Sequence, residues 1–242
     1  MFKGVGLLRF VRHASTKKFV VERSQTKLSN QKWVPWAIFG GSFATGWFFT
    51  QHMTFTDLIA YWRYDKLPRS SEEVQKYEAD LTNRLHRLPI VQQLSNSGYS
   101  EVFPIGRDSK VGDNKLIDKT LATPGGIAIP PKFYYNPETK ETIGIYHLGM
   151  KLTGYPFIVH GGMLATVMED QMRESVKFIK NKEGEKIKDL TVSYKLPTLA
   201  NQFVVVRTTK VEEFGKNVKL TVEVMDQTGN RKLVEGRGTF ST

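Results

Sequence analysis

The sequence predicts an α+β domain in its C-terminal half, in which a curved antiparallel sheet wraps around one central helix. Two strand-like runs precede a long helical run over residues 159–180. Four more strand-like runs follow it, at residues 188–196, 203–214, 216–226 and 232–241. Neighbouring strands joined by short polar turns pair antiparallel. A single, mostly apolar helix in such a series has to be covered by a concave sheet.

The composition excludes several kinds of site. The chain has no cysteine, so disulfides, thiolate nucleophiles and cysteine-ligated zinc are excluded. Its five histidines form no H-E-x-x-H pair, and we expect neither a metal ion nor a cofactor. The net charge is +11, but residues 1–32 hold eight Lys or Arg and one Glu, and therefore +7 of it. The rest is only mildly basic, so we expect no nucleic-acid partner.

The N-terminal region has the composition of a targeting arm followed by a membrane anchor. Residues 1–32 mix basic and apolar side chains with no acid before Glu22, as in a mitochondrial transit peptide, and a disordered basic tail is the alternative. Residues 33–56 contain no Asp, Glu, Lys or Arg and are long enough for a transmembrane helix. A buried soluble helix is the alternative there, because Pro35, Gln51 and His52 dilute the apolar run.

Two different hydrophobic patterns divide the rest of the chain. Residues 57–119 form a helical and then irregular connector, in which Leu81, Leu85 and Leu88 recur at helical spacing. The alternating pattern that predicts the sheet occupies residues 120–242.

Two glycines at the start of the central helix carry the most informative chemical signal. His160 is followed by Gly161 and Gly162, and the helical run begins there. The first turn of a helix has backbone N–H groups without intrahelical partners, at the positive end of the helix dipole. Because glycine has no side chain, another molecule can approach this backbone closely. A carbonyl oxygen that becomes negative during a reaction would be stabilised there.

A carboxylate further along the helix is the candidate base or nucleophile. At 100° per residue, Glu169 falls at the edge of the apolar arc, whereas Asp170 falls well outside it. We therefore expect Glu169 at a partly buried cleft and Asp170 in water. Spacing alone leaves two interpretations of Glu169 open. It is either catalytic or a surface residue paired with Arg173, four positions further on.

These residues resemble a known family. His160–Gly161–Gly162 at the helix start, with an acid nine residues after the histidine, is similar to the PaaI-like and THEM-type acyl-CoA thioesterases of the hotdog-fold superfamily. Tyr194 and Pro197 match that family's Y-x-x-P on the strand after the helix. The resemblance covers residues 120–242, and the basic arm and apolar segment make the whole chain resemble fungal mitochondrial membrane-anchored members.

The resemblance implies a homodimer of hotdog domains that binds an acyl-CoA thioester between its subunits. Gly161 matches the glycine whose N–H polarises the carbonyl group, His160 the histidine that shapes the loop, and Glu169 the catalytic acid. We expect Gly162 and Tyr194 to contact the substrate, and Lys195 either to contact a CoA phosphate or to be a solvated charge on the face of its strand. It also implies a single-pass protein of the inner mitochondrial membrane, held through residues 33–56.

The chain departs from the family pattern at three polar or glycine positions. Many relatives have Asn six residues before the histidine and Gly three before it, where this chain has Gly154 and Phe157. Ile187 stands where a Ser or Thr often assists. These departures leave a second hypothesis open, a hotdog dimer that has lost catalysis. Such a dimer would serve as a platform for other proteins or hold acyl ligands.

Overall fold

The computed structural model of the protein describes residues 33–52, 55–104, 116–182 and 184–242. The predicted transit arm, residues 1–32, lies outside them. The described residues divide into two units, one ending at Phe43 and the other beginning at Ala44. The five α-helices of the described part are α1 (Val34–His52), α2 (Phe55–Trp62), α3 (Glu72–His86), α4 (Pro89–Ser95) and α5 (Gly161–Lys180). The nine strands are β1 (Ser100–Val102), β2 (Lys132–Asn136), β3 (Glu141–Leu148), β4 (Thr153–Tyr155), β5 (Ile158–Val159), β6 (Lys186–Tyr194), β7 (Gln202–Phe214), β8 (Asn217–Met225) and β9 (Lys232–Ser241).

Seven strands form one antiparallel sheet in the order β1-β2-β3-β7-β8-β9-β6, and β4 and β5 form a separate pair. Helix α5 packs on one face of this sheet and touches β3, β7, β8, β9 and β6. The predicted α+β, hotdog-like arrangement of an antiparallel sheet and a central helix is confirmed. Of the five strands before the helix, the sequence predicted two, β2 and β3, whereas β1, β4 and β5 were not predicted. The strand that the sequence predicts from residue 126 is β2, and it starts only at Lys132. Pro130 and Pro131 cannot extend it, because they have no N–H to donate to a sheet.

The inner face of the sheet forms one apolar core with α5. Tyr146 and Leu148 of β3 and Val204 and Val206 of β7 point into this core. Glycines on β9 let α5 lie close to the sheet. A Cβ atom at Gly236 would lie 2.4 Å from the Cε atom of Met168, closer than non-bonded carbon atoms approach each other. The sequence of β9 therefore fixes how near the helix can come.

A second core lies on the opposite face of β2, β3 and β7. Ile143 and Ile145 alternate with the inward residues of β3, as do Phe203 and Val205 with those of β7. Helices α2, α3 and α4 cover this face, and their apolar side chains, such as Leu81 of α3, pack in the second core. Because both faces of β3 and β7 are buried, their sequences are continuous apolar runs rather than alternating ones.

Polar side chains are also buried under these helices. Asp57 accepts hydrogen bonds from the Tyr77 hydroxyl at 3.2 Å and from Nη1 of Arg84 at 2.9 Å. His147 of β3 is buried nearby, with its ring edge-on to Phe203 at 5.1 Å between centroids. Among the described residues neither ring nitrogen has a hydrogen-bond partner. Burial lowers the pKa of His147 to about 4, which Asp57 opposes and Arg84 reinforces.

We expect acid to destabilise the domain through His147. Its folded-state pKa lies below the ordinary value of about 6.5, so the unfolded chain binds the proton more readily. Stability is therefore lost as the pH falls from about 6.5 towards 4. Between pH 7 and pH 5 the loss is about 2 kcal/mol. Urea unfolding at both pH values measures it. The His147→Leu variant should lack this part of the loss, and an equal loss in both proteins would contradict the assignment.

Helix α1 shows large apolar side chains to solvent. Trp36 is 74% exposed, and Phe39, Phe43 and Trp47 are also exposed. Nowhere in the part of the chain that the structure describes is a helix both long and apolar enough to cross a membrane. The transmembrane helix predicted over residues 33–56 is thus unconfirmed, although residues 34–52 are helical.

Candidate active site

The start of α5 is held by His160 and by the edge strand β6. His160 is the N-cap residue, and its Nδ1 accepts a hydrogen bond from the N–H of Gly162 at 3.0 Å. Since Nδ1 accepts, the neutral ring carries its proton on Nε2. The Tyr194 hydroxyl at the end of β6 donates to the carbonyl oxygen of Gly161 at 2.8 Å. His160, Gly161, Gly162 and Tyr194 therefore lie together, whereas Glu169 lies two turns further along α5 and Lys195 is exposed, with its backbone N–H donating to the carbonyl of Leu233.

The N–H of Gly161 has no hydrogen-bond partner among the described residues. It is the first N–H of the helix and lies at the positive end of the helix dipole. A Cβ atom on Gly161 would lie 3.1 Å from the ring and hydroxyl of Tyr194, so glycine lets Tyr194 pack closely against the start of the helix. This N–H is available to a carbonyl oxygen.

Glu169 lies at the rim of the helix–sheet core, as its position in the helix predicts. Its side chain is 34% exposed. Both Nε and Nη2 of Arg173 donate to the same carboxylate oxygen, Oε1, at 3.0 and 2.7 Å. The other oxygen, Oε2, has no hydrogen-bond partner in the described residues. Arg173 is thus the ion-pair partner that spacing predicts, and it leaves one oxygen of Glu169 available.

A chain of charged groups supports this ion pair. Nη1 of Arg173 donates to the backbone carbonyl of Glu185 at 3.3 Å, and the guanidinium lies 5.8 Å from the ring centre of Phe240. Buried Lys177 lies 3.3 Å from Glu174 and 4.0 Å from Glu185. A guanidinium held by several partners has little rotational freedom, so the orientation of the Glu169 carboxylate is fixed with it.

The expectation that Asp170 faces water is wrong. Asp170 is 1% exposed and accepts a hydrogen bond from the Tyr146 hydroxyl at 2.9 Å. The sheet covers more of α5 than a single apolar arc suggests, because Gln171 and Glu174 are buried with it. Asp170 is therefore enclosed in the interior and out of reach of a substrate.

The departures from the family pattern have local structural consequences. A Cβ atom at Gly154 would lie 2.7 Å from Cδ2 of His160, so the ring occupies the space that an asparagine side chain would need. Phe157 adopts a left-handed backbone with a φ of 63°, a conformation that favours glycine. Ile187 packs against the inner core. None of the three supplies a polar group to the site.

Within the described ranges no three His, Asp or Glu side chains gather closely enough to hold a metal ion.

Sequence comparison identifies the family. The uncharacterized mitochondrial membrane protein FMP10 of Saccharomyces cerevisiae is 52% identical over 244 residues, which cover 100% of this chain and 96% of FMP10. The chain belongs to the FMP10 family. Acyl-coenzyme A thioesterase THEM4 of Mus musculus is 26% identical to this FMP10-family chain over 152 residues, covering 58% of the chain and 63% of THEM4. The predicted similarity to hotdog-fold thioesterases and to fungal mitochondrial membrane proteins is confirmed.

Other comparisons are weaker. No family model matches this FMP10-family chain. Among solved structures, AziG of S. sahachiroi has a TM-score of 0.42 at 15% identity and covers 46% of the chain and 90% of AziG. The PaaI protein of E. coli has a TM-score of 0.38 at 12% identity and covers 42% of the chain and 72% of PaaI.

Proposed function

We propose that the protein hydrolyses acyl-CoA thioesters as a homodimer at the mitochondrial membrane. The observation that carries the proposal is the free N–H of Gly161 at the start of α5, combined with an oriented carboxylate, Glu169, on the same helix. The relation to THEM4, an acyl-coenzyme A thioesterase by name, indicates the substrate class.

Two chains are needed to bring these groups to one thioester. Gly161 and Glu169 are eight residues apart, and therefore about 12 Å apart along the helix axis. A reacting carboxylate has to lie within about 3.5 Å of the carbonyl carbon, whose oxygen is held by the N–H. A glutamate side chain is too short to close that gap. The Gly161 of one subunit must then act with the Glu169 of the other, in two equal sites per dimer.

The edge strand β6 offers the surface for such a dimer. It pairs with β9 on one side, and the described residues provide no strand on its other side. A nine-residue open edge is a template for pairing with a second chain. Two copies joined through β6 by a two-fold axis would place their α5 helices antiparallel on one face of a continuous sheet. Each helix start would then face the middle of the partner helix.

The reaction follows from this geometry. The thioester oxygen accepts the hydrogen bond of the Gly161 N–H and becomes negative as the carbonyl carbon is attacked. Oε2 of the second subunit's Glu169 either removes a proton from the attacking water or attacks the carbon itself. The carbon–sulfur bond breaks, and the products are a carboxylic acid and the CoA thiol. The exposed Lys195 would contact a CoA phosphate.

Membrane attachment is proposed for residues 33–56. FMP10 is by name a mitochondrial membrane protein, and the exposed Trp36, Phe39 and Phe43 of α1 supply apolar contact area. A single pass through the inner membrane would leave the domain protected on one side only. Protease treatment of intact mitochondria and of mitochondria with a ruptured outer membrane shows which compartment the domain faces, and protection in both samples would support an inner-membrane anchor with the domain in the matrix.

The Gly161 N–H can be removed with little disturbance to the helix. Gly161→Pro deletes the N–H at the first helical position, where proline is tolerated, and the extended backbone of His160 suits a following proline. We expect its kcat to fall by about 10²–10³. Gly161→Ala adds the Cβ atom but keeps the N–H, and it is the matched control. Release of free CoA from acyl-CoAs of several chain lengths measures the rate. Equal rates for the two variants would argue against the N–H as the donor.

A second candidate function is a hotdog dimer that binds acyl ligands without cleaving them. It is favoured by the apolar Ile187 and by Gly154, which replace polar residues of the family pattern. In that case no acyl-CoA of any chain length is hydrolysed, while acyl-CoA still raises the unfolding temperature of the protein.

A further inference from the structure

A cavity of about 620 Å³ lies at the β1–β2 edge of the sheet, between α3 and residues 116–131. Its volume is in the range of pockets that bind small molecules, about 300–1,000 Å³. Strand β6, with Tyr194, lies at the opposite edge of the same sheet. None of the residues lining the cavity belongs to the proposed catalytic site. The cavity is therefore a separate site.

The walls of the cavity are mainly apolar. Ile127 and Phe133 come from the core around α5, whereas Leu85 and Ala128 come from the core under α3. The cavity thus lies where the two cores meet at the edge of the sheet. Walls of this kind favour an apolar ligand, because its removal from water drives binding.

The charged groups of the cavity select against an anion. Three carboxylates, Glu78, Glu101 and Asp118, line it with two cations, Arg69 and Lys132. Lys132 is already engaged, since its Nζ lies 2.9 Å from Glu101. Carboxylates accept hydrogen bonds, so a ligand group that donates them is favoured here.

We propose that this cavity binds an alkyl chain ending in a hydrogen-bond donor that carries no negative charge, either an amine or an alcohol. The apolar walls hold the chain, and the carboxylate of Glu78 accepts a hydrogen bond from its end. Fatty acids and acyl-CoA, which are anionic, are excluded. The proposal is independent of the thioesterase reaction, since it uses other residues at another edge of the sheet.

Calorimetric titration of the full chain with three twelve-carbon probes tests the ligand class. The protein is kept in solution with a bile-salt detergent, which has a steroid nucleus in place of a long linear alkyl chain. Dodecylamine should bind, dodecanol should bind more weakly, and dodecanoate should bind at least about tenfold more weakly than dodecylamine. Failure of both dodecylamine and dodecanol to bind, or dodecanoate binding as tightly as the amine, would overturn the proposal.

Substitutions in the cavity walls test whether the ligand binds in this cavity. Glu78→Gln should weaken dodecylamine about fivefold and leave dodecanol unchanged. Ala122→Phe should abolish binding of both by filling the cavity, and Thr82→Phe should do so from the opposite wall if the first variant does not fold. Glu169→Gln should leave both affinities unchanged. Binding that survives both filling variants, or that is lost in Glu169→Gln, would refute the site.

Discussion

Replacing Glu169 with Gln is expected to lower kcat for acyl-CoA hydrolysis by about 10²–10⁴. Glutamine has the same shape and can still accept the hydrogen bonds from Nε and Nη2 of Arg173. It has no basic oxygen, however, so it can neither remove a proton from water nor attack the carbonyl carbon. The free energy of unfolding should change by no more than about 0.5 kcal/mol, the value of an exposed i,i+4 pair. Initial rates of CoA release and urea unfolding measure the two effects.

Two further variants separate catalysis from the ion pair. Glu212→Gln removes an exposed carboxylate that is paired with Lys210 on β7, and its kcat should equal that of the wild type. Arg173→Met removes the partner of Glu169 and leaves the carboxylate in place. If Glu169→Gln were fully active and as stable as Arg173→Met, Glu169 would be only half of a surface ion pair. That result would leave the acyl-binding dimer as the better hypothesis.

The order of elements in the domain could be predicted because local signals agreed there. Alternation along β8, the turns that close the hairpins and the long helical run each indicate one structure without knowledge of the others. The His160–Gly161–Gly162 motif was equally local, since a cap and a helix start depend on adjacent residues. Glu169 at the rim of the core followed from helical spacing in the same way.

Other features depend on contacts between distant residues, and the sequence alone did not indicate them. The burial of Asp170 requires Tyr146 of β3 to lie opposite it, which the register of the sheet decides. The hydrogen bond from Tyr194 to Gly161 similarly requires β6 to return to the edge beside β9. The second core, under α2, α3 and α4, could not be predicted for a related reason. Helical spacing in α3 shows an apolar face but does not say which surface it covers.

Mixing two inactive variants is expected to restore activity. If each site combines Gly161 of one subunit with Glu169 of the other, a dimer of one Gly161→Pro chain and one Glu169→Gln chain has one intact site. Its second site contains both substitutions. Half of the dimers in an equal, re-equilibrated mixture are mixed, and each has one of two sites, so the mixture should reach about a quarter of the wild-type rate.

This complementation distinguishes the arrangement of the site from the identity of its residues. Should each chain contain a whole site, every site in the mixed dimer would carry one substitution, and the rate would stay at the level of the separate variants. Restored activity is expected because Gly161 and Glu169 of one chain lie about 12 Å apart along α5, too far to act on the same thioester. Unmixed samples of each variant, taken through the same dissociation and reassociation, are the control for recovery of folded protein. If activity also returned in either unmixed sample, the experiment would no longer support a site shared between two subunits.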